Sequence, residues 1–111
     1  MFSEYSGPLG ERLAEWERKE ELKFHKIDLF CGRTDLEGQQ EWFASVEYYC
    51  CLAGCAERQI VGEASKHFSS EVLRWFATML RLEYGVTSFP PPHYPLGWAE
   101  LKSRIQSAYA L

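Results

Sequence analysis

Between Trp42 and Ile60 the apolar residues return every three or four positions, at Trp42, Val46, Tyr49, Ala53, Ala56 and Ile60, with Phe43, Tyr48 and Cys50 widening the arc. That is the spacing of a buried helical stripe. Gly32 ends the preceding segment, and Thr34 with Glu37 three residues on makes a capping box, so the pattern predicts a central helix over about residues 35–60. Its second half is small, with Ala53, Gly54, Cys55 and Ala56 in a row, which lets another helix approach the backbone closely. Ala53, Gly54 and Ala56 are therefore a candidate association face.

Two further segments carry the same period. Leu9, Leu13 and Trp16 share one side of a first helix over about residues 9–23, entered through Ser6 or Gly7 ahead of Pro8, while Glu11, Arg12, Glu15, Arg18, Lys19 and Glu21 form its solvated side. Phe68, Val72, Trp75, Phe76, Met79 and Leu80 mark the buried face of a third helix that begins by Ser65 or Lys66 and ends at Gly85, where a left-handed cap is expected. Residues 86–95 contain consecutive prolines, which remove donors and favour extended geometry, so they read as a stiff connector. Leu96, Leu101, Ile105 and Ala108, flanked by Trp98 and Tyr109, define a short final helix. Residues 24–31 fit two patterns. His25, Ile27, Leu29 and Cys31 alternate like a strand, yet Phe24, Ile27 and Phe30 extend a helix; the helix is preferred, because one strand would have no partner.

The fold these segments predict is all-α, a single domain of about four helices with the second at its centre and a proline-rich connector before the last. Val46, Tyr49, Ala53, Val72, Phe76 and Met79 are expected to be buried, with the second and third helices packed together. A chain of 111 residues that is 46% hydrophobic, with four Trp, six Tyr and seven Phe, has material enough for one core and is too apolar for a disordered regulator. The net charge of -4 argues against strong unspecific attraction to nucleic acid or anionic membranes and is too mild for a nucleic-acid mimic.

The start of the chain has acids and a Pro-Gly context where a signal peptide needs a basic start and an apolar run, and Glu47, Glu57 and Arg58 interrupt the most hydrophobic segment. A cytoplasmic protein with no membrane partner is expected. Of the four cysteines, Cys50, Cys51 and Cys55 crowd onto one predicted helix, where neighbouring side chains diverge; free, mostly buried thiols are expected. With His25 or His67 these thiols could in principle complete a tetrahedral zinc site. There is no CxxC pair, however, and tight packing is the preferred account, so neither metal nor cofactor is expected.

The richest polar constellation lies on the third helix. His67, Glu71, Arg74, Thr78 and Arg81 follow one another at spacings of three and four, opposite the apolar stripe. A histidine titrating near neutrality, a carboxylate and a fixed guanidinium suit phosphate binding, which makes His67, Glu71 and Arg74 candidate phosphate- or RNA-binding residues. A solvated helix face has the same spacing. The FPPPHYP run has the composition of a ligand for aromatic grooves, but a rigid linker whose Phe89 and Tyr94 pack on the bundle is the preferred account, because no second spaced proline motif or basic anchor accompanies it.

The order WFASVEYYCCLAGCAERQI, SKHFSSEVLRW and HYPLGWAELKSRIQSAYA, over about residues 40–110, resembles small prokaryotic HEPN-type helical domains. The positions that carry the resemblance are Trp42, Tyr48, Tyr49, His67, Arg74 and Tyr109. It implies a helical scaffold that often dimerises, with roles in RNA cleavage, toxin and antitoxin systems, phage defence or nucleotide binding. Active members of that group resemble one another in an Arg followed four to six residues later by His at a helix end. Here Arg18 and His25 lie in the N-terminal segment and Arg58 and His67 are too far apart, so the resemblance implies the scaffold more than the nuclease. The expected function is a non-enzymatic binding module with a protein partner or a second copy, or with a nucleotide or RNA. The alternatives are a metal-independent ribonuclease using His67 with Arg74 or His25 with Arg18, and a small inhibitor docking on a larger complex.

Overall fold

Asp35 sits in extended geometry at the head of the first described helix, and its Oδ2 accepts from Gly38 N at 3.0 Å while Arg33 holds the same carboxylate through two bonds of 3.1 Å. An anion is stabilised there by the free N–H groups and the positive end of the helix dipole. The cap is thus Asp35, not the expected Thr34 with Glu37. The computed structural model describes residues 26–109, arranged as α1 (Leu36–Ala53), α2 (Glu57–Ser65), α3 (Ser70–Tyr84) and α4 (Trp98–Tyr109). The helix expected over residues 9–23 lies outside the described residues, as do Arg18 and His25.

The architecture is all-α, a bundle of four helices among the described residues. The number matches expectation for a different reason, because the single helix expected over residues 35–60 is two. Gly54 adopts φ 72°, Gly54 N donates to Cys51 O at 3.3 Å and Cys55 N donates to Cys50 O at 2.9 Å. Those bonds satisfy the terminal carbonyls of α1 and turn the chain away. α2 then restarts with its own cap, as Gln59 Oε1 accepts from Ala56 N at 2.8 Å. The apolar period continues through residues 53–56, but these side chains are too small to hold the helix straight by burial. Glycine reaches the left-handed conformation without steric cost.

Residues 26–31 are not helical. Phe30 N donates to His67 O at 2.7 Å and Ser69 N donates to Phe30 O at 2.9 Å, a single parallel bridge between the extended segment and the turn joining α2 to α3. The partner that a lone strand appeared to lack is this turn, and it satisfies both polar groups of a buried residue. The bridge also explains why α3 starts at Ser70 and not at Ser65 or Lys66. Ser69 caps it, its Oγ accepting from Val72 N at 3.3 Å, and Gly85 ends it at φ 71° as expected.

The core forms around aromatic rings at that bridge. Phe30 lies 4.9 Å from Trp42 and 6.2 Å from Phe68, and Phe68 faces Trp42 on one side at 5.8 Å and Phe76 on the other at 5.5 Å. The stripe of α1 and the buried face of α3 meet in one core, with Phe68 standing between Trp42 and Phe76. α1, α2 and α4 approach one another along their backbones, and α3 joins α4 through Trp75 on Tyr109, Tyr84 on Glu100 and the Arg104 to Glu83 ion pair. The connector packs inward, with Tyr94 stacked on Phe76 at 5.9 Å and Phe89 edge-on at 6.1 Å.

Of the expected core, Val46, Val72, Phe76 and Met79 are buried, Tyr49 is half-buried and Ala53 is exposed. The stripe ends at Cys50, because beyond it the chain leaves for Gly54. Ala53→Leu is consequently expected to change stability by less than about 0.5 kcal/mol, the range of surface substitutions. Urea unfolding of the two proteins checks this, and a loss above about 1 kcal/mol would restore the close helix contact that overpacking disturbs.

Candidate functional site

Of the three residues singled out on the third helix, Glu71 and Arg74 stand three positions apart on the helix and His67 precedes it. His67 lies in the turn before α3, half-buried, while Glu71 and Arg74 are exposed on the helix itself. Among the described residues no hydrogen bond or ion pair joins any two of them. The helix begins after His67, so its side chain does not follow the helical register on which the constellation was built. Arg74 instead shares a groove of about 240 Å³ with Arg81, Val86, Thr87 and Phe89.

Ala53, Gly54 and Ala56 occupy the corner between α1 and α2, all exposed. Ala53 and Gly54 form the rim of a cleft of about 860 Å³, whose other walls are α2 and the end of the proline-rich connector. The break at Gly54 creates it, since a continuous helix would leave no re-entrant angle here. Arg58 and Gln59 come from the first turn of α2, Gly62, Glu63 and Lys66 from its remainder and end, and His93 and Tyr94 from the connector. Gly62 faces the connector, and a Cβ there would be in ordinary contact with the Tyr94 ring at 3.4 Å. The same juncture is fixed by Ser65 Oγ, which donates to Gly62 O at 2.9 Å and lies 3.4 Å from Tyr94 OH.

The cleft is polar and carries both charges. Lys66 Nζ lies 2.9 Å from Glu63 Oε1, and that carboxylate raises the lysine above its ordinary range, so the ammonium stays charged. The Arg58 guanidinium has no carboxylate partner among the described residues and is exposed. It provides five donors that no ion pair engages among the described residues. Arg58 and Lys66 thus line this cleft, as the exposed Arg74 and Arg81 line the smaller groove on α3, likewise without an ion pair among the described residues. Nothing in the spacing marks Arg58, Gln59, His93 or Tyr94, which meet only because the chain breaks at Gly54 and the prolines return along α2.

Away from the residues that line this cleft, α1 and α4 are joined by Glu47. Its Oε2 accepts from Trp98 Nε1 and from Lys102 Nζ, each at 2.7 Å, and Lys102 also lies 5.6 Å from the Trp98 ring. Partial burial opposes ionisation of Glu47, but the two donors outweigh it and hold the carboxyl below its ordinary range. One of its two contacts satisfies the indole N–H of Trp98, which the sequence placed as a flank and which is buried.

The cysteines depart from expectation as well. All four are free, but only Cys50 is buried; Cys31 and Cys51 are exposed and Cys55 is intermediate. Among the described residues no three His, Cys, Asp or Glu side chains gather closely enough to hold a metal ion, and no helix is long and apolar enough to cross a membrane. Compared with known proteins, the chain matches no family model, no curated protein and no solved structure.

Proposed function

We propose that the chain is a non-enzymatic binding module that receives a phosphate-bearing ligand, a nucleotide or a short stretch of RNA, in the cleft between α2 and the connector. The observation that carries this reading is Arg58, a guanidinium without an ion-pair partner among the described residues, at the edge of a polar cleft of about 860 Å³ that also presents Lys66, Gln59 and His93. A guanidinium binds phosphate oxygens through paired donors, and the exposed His93 adds an imidazole to the same cleft. Binding without cleavage is the reading adopted, since a metal-independent ribonuclease needs its proton-transfer group and its phosphate-stabilising cation in one cleft, and His67 sits half-buried in the turn before α3 while Arg74 is exposed on the helix. The all-helical architecture is in keeping with the resemblance to HEPN-type domains, which we retain as the proposed relationship. A cytoplasmic location fits the same reading.

Titration calorimetry with ATP and with a short single-stranded RNA tests it. Arg58→Ala is expected to weaken binding about ten- to hundredfold, the loss of a charge-assisted hydrogen bond of about 1.5–3 kcal/mol. The double variant His67→Ala, Arg74→Ala is expected to bind as the parent does. The opposite pattern would move the site to α3, and an RNA pool cut in the presence of chelator would replace the binding reading by a nuclease. No heat from either ligand at millimolar concentration would reject both.

A further inference from the structure

We propose that Cys50 and Cys55 form a dithiol modification site, closing reversibly into an intrachain disulfide across the C-terminal cap of α1 when they meet a low-molecular-weight disulfide. In a straight helix residues five apart diverge, and a bond between them is not expected. The break at Gly54 changes this. Gly54 is left-handed, Cys55 N donates to Cys50 O at 2.9 Å, and Gly54 N to Cys51 O at 3.3 Å, which is the Schellman closure of a helix. In that closure the side chains on either side of the long bond are the ones that habitually touch, usually as a hydrophobic pair. Here both are thiols. The two are electrostatically coupled: burial, and then the neighbouring Cys55, push the Cys50 thiol up to about 12.

The two thiols differ in access, which gives each a role. Cys55 is half-exposed and lines the large cleft, so a small disulfide reaches it from solvent. Its thiolate attacks one sulfur of the small disulfide, forms a mixed disulfide and expels one small thiolate. Cys50, buried and protonated, loses its proton to solvent and attacks Cys55 Sγ, expelling the second small thiolate. Two protein thiols are oxidised by two electrons and one small disulfide is reduced to two thiols. The bridge ties the end of α1 to the first residues leading into α2, at the rim of the cleft.

The test uses the full chain carrying Cys31→Ser and Cys51→Ser, so that only this pair remains. The protein is equilibrated in glutathione buffers of graded reduced-to-oxidised ratio, quenched in acid, tagged with a maleimide and weighed. A monomer lacking two hydrogens and carrying no tag is expected, with glutathione adducts at least about tenfold scarcer than when Cys50→Ala is added, because the resolving thiol acts at high effective concentration. Repeating the equilibration in urea separates the cap from mere nearness in sequence, and the bridge is expected to form at a several-fold less oxidising ratio in the folded protein. Two tagged thiols across the whole range, a stable adduct on Cys55 with Cys50 present, a disulfide-linked dimer, or equal bridging in folded and unfolded chains would each overturn the proposal.

Discussion

Replacing Phe30 by Ala is expected to destabilise the protein by about 3–5 kcal/mol, the usual cost of deleting a fully buried phenyl ring. Phe30 is only 1% exposed, and its ring lies 4.9 Å from Trp42, 6.2 Å from Phe68 and 5.9 Å from Tyr109. Those three belong to α1, to the turn before α3 and to the end of α4, so one ring joins parts of the chain far apart in sequence. The backbone bridge to His67 and Ser69 is retained in the variant, which isolates the ring's contribution from that of the hydrogen bonds. A domain of ordinary stability has about 5–15 kcal/mol in all, and the variant is expected to unfold at markedly lower urea. Phe30→Leu, which keeps most of the volume, is expected to lose less than half as much. A loss below about 1 kcal/mol for Phe30→Ala would mean that the cluster closes without it.

Gly32→Ala is expected to cost about 2–3 kcal/mol, combining the left-handed penalty of about 1–2 kcal/mol with a steric one. Gly32 has φ 88°, and a Cβ there would stand 2.8 Å from Tyr109 Cε1 and 3.1 Å from Cδ1. The ring cannot swing freely, because it packs edge-on against both Phe30 and Trp75. Gly54→Ala supplies the comparison. Its φ is 72° but nothing lies within 4 Å, so only the conformational part remains, about 1–2 kcal/mol. In a Tyr109→Ala background Gly32→Ala is expected to fall to the same value, and a double-mutant cycle reads the difference as the coupling between the two positions. An unchanged cost in that background would place the whole effect in the backbone.

The periodic stretches were legible from their residues alone. Trp42, Val46 and Cys50 face the core because each lies three or four residues from the last, and the same rule found Val72, Phe76, Met79 and Leu80. Gly85 was legible as a stop because few residues other than glycine take the left-handed geometry of a helix cap. Gly54 was equally a glycine but stood inside a continuing apolar period, and local pattern does not say whether burial or the cap prevails. Once Ala53 and Ala56 found no partner along the stripe, the cap prevailed.

Side-chain period along the chain decided the all-α class, the inward faces of α1 and α3, and the end of α3, since each depends only on residues within a turn or two of one another. Tertiary structure decided the rest. Phe30 became extended because the turn at His67 offered both a donor and an acceptor, and α3 started late because that turn was already committed. Arg58, His93 and Tyr94 share a cleft, and Cys55 returns to Cys50, only because the chain bends at Gly54 and the connector folds back onto α2. Those meetings depend on which surfaces find partners across the molecule, a competition that spacing along the sequence does not record.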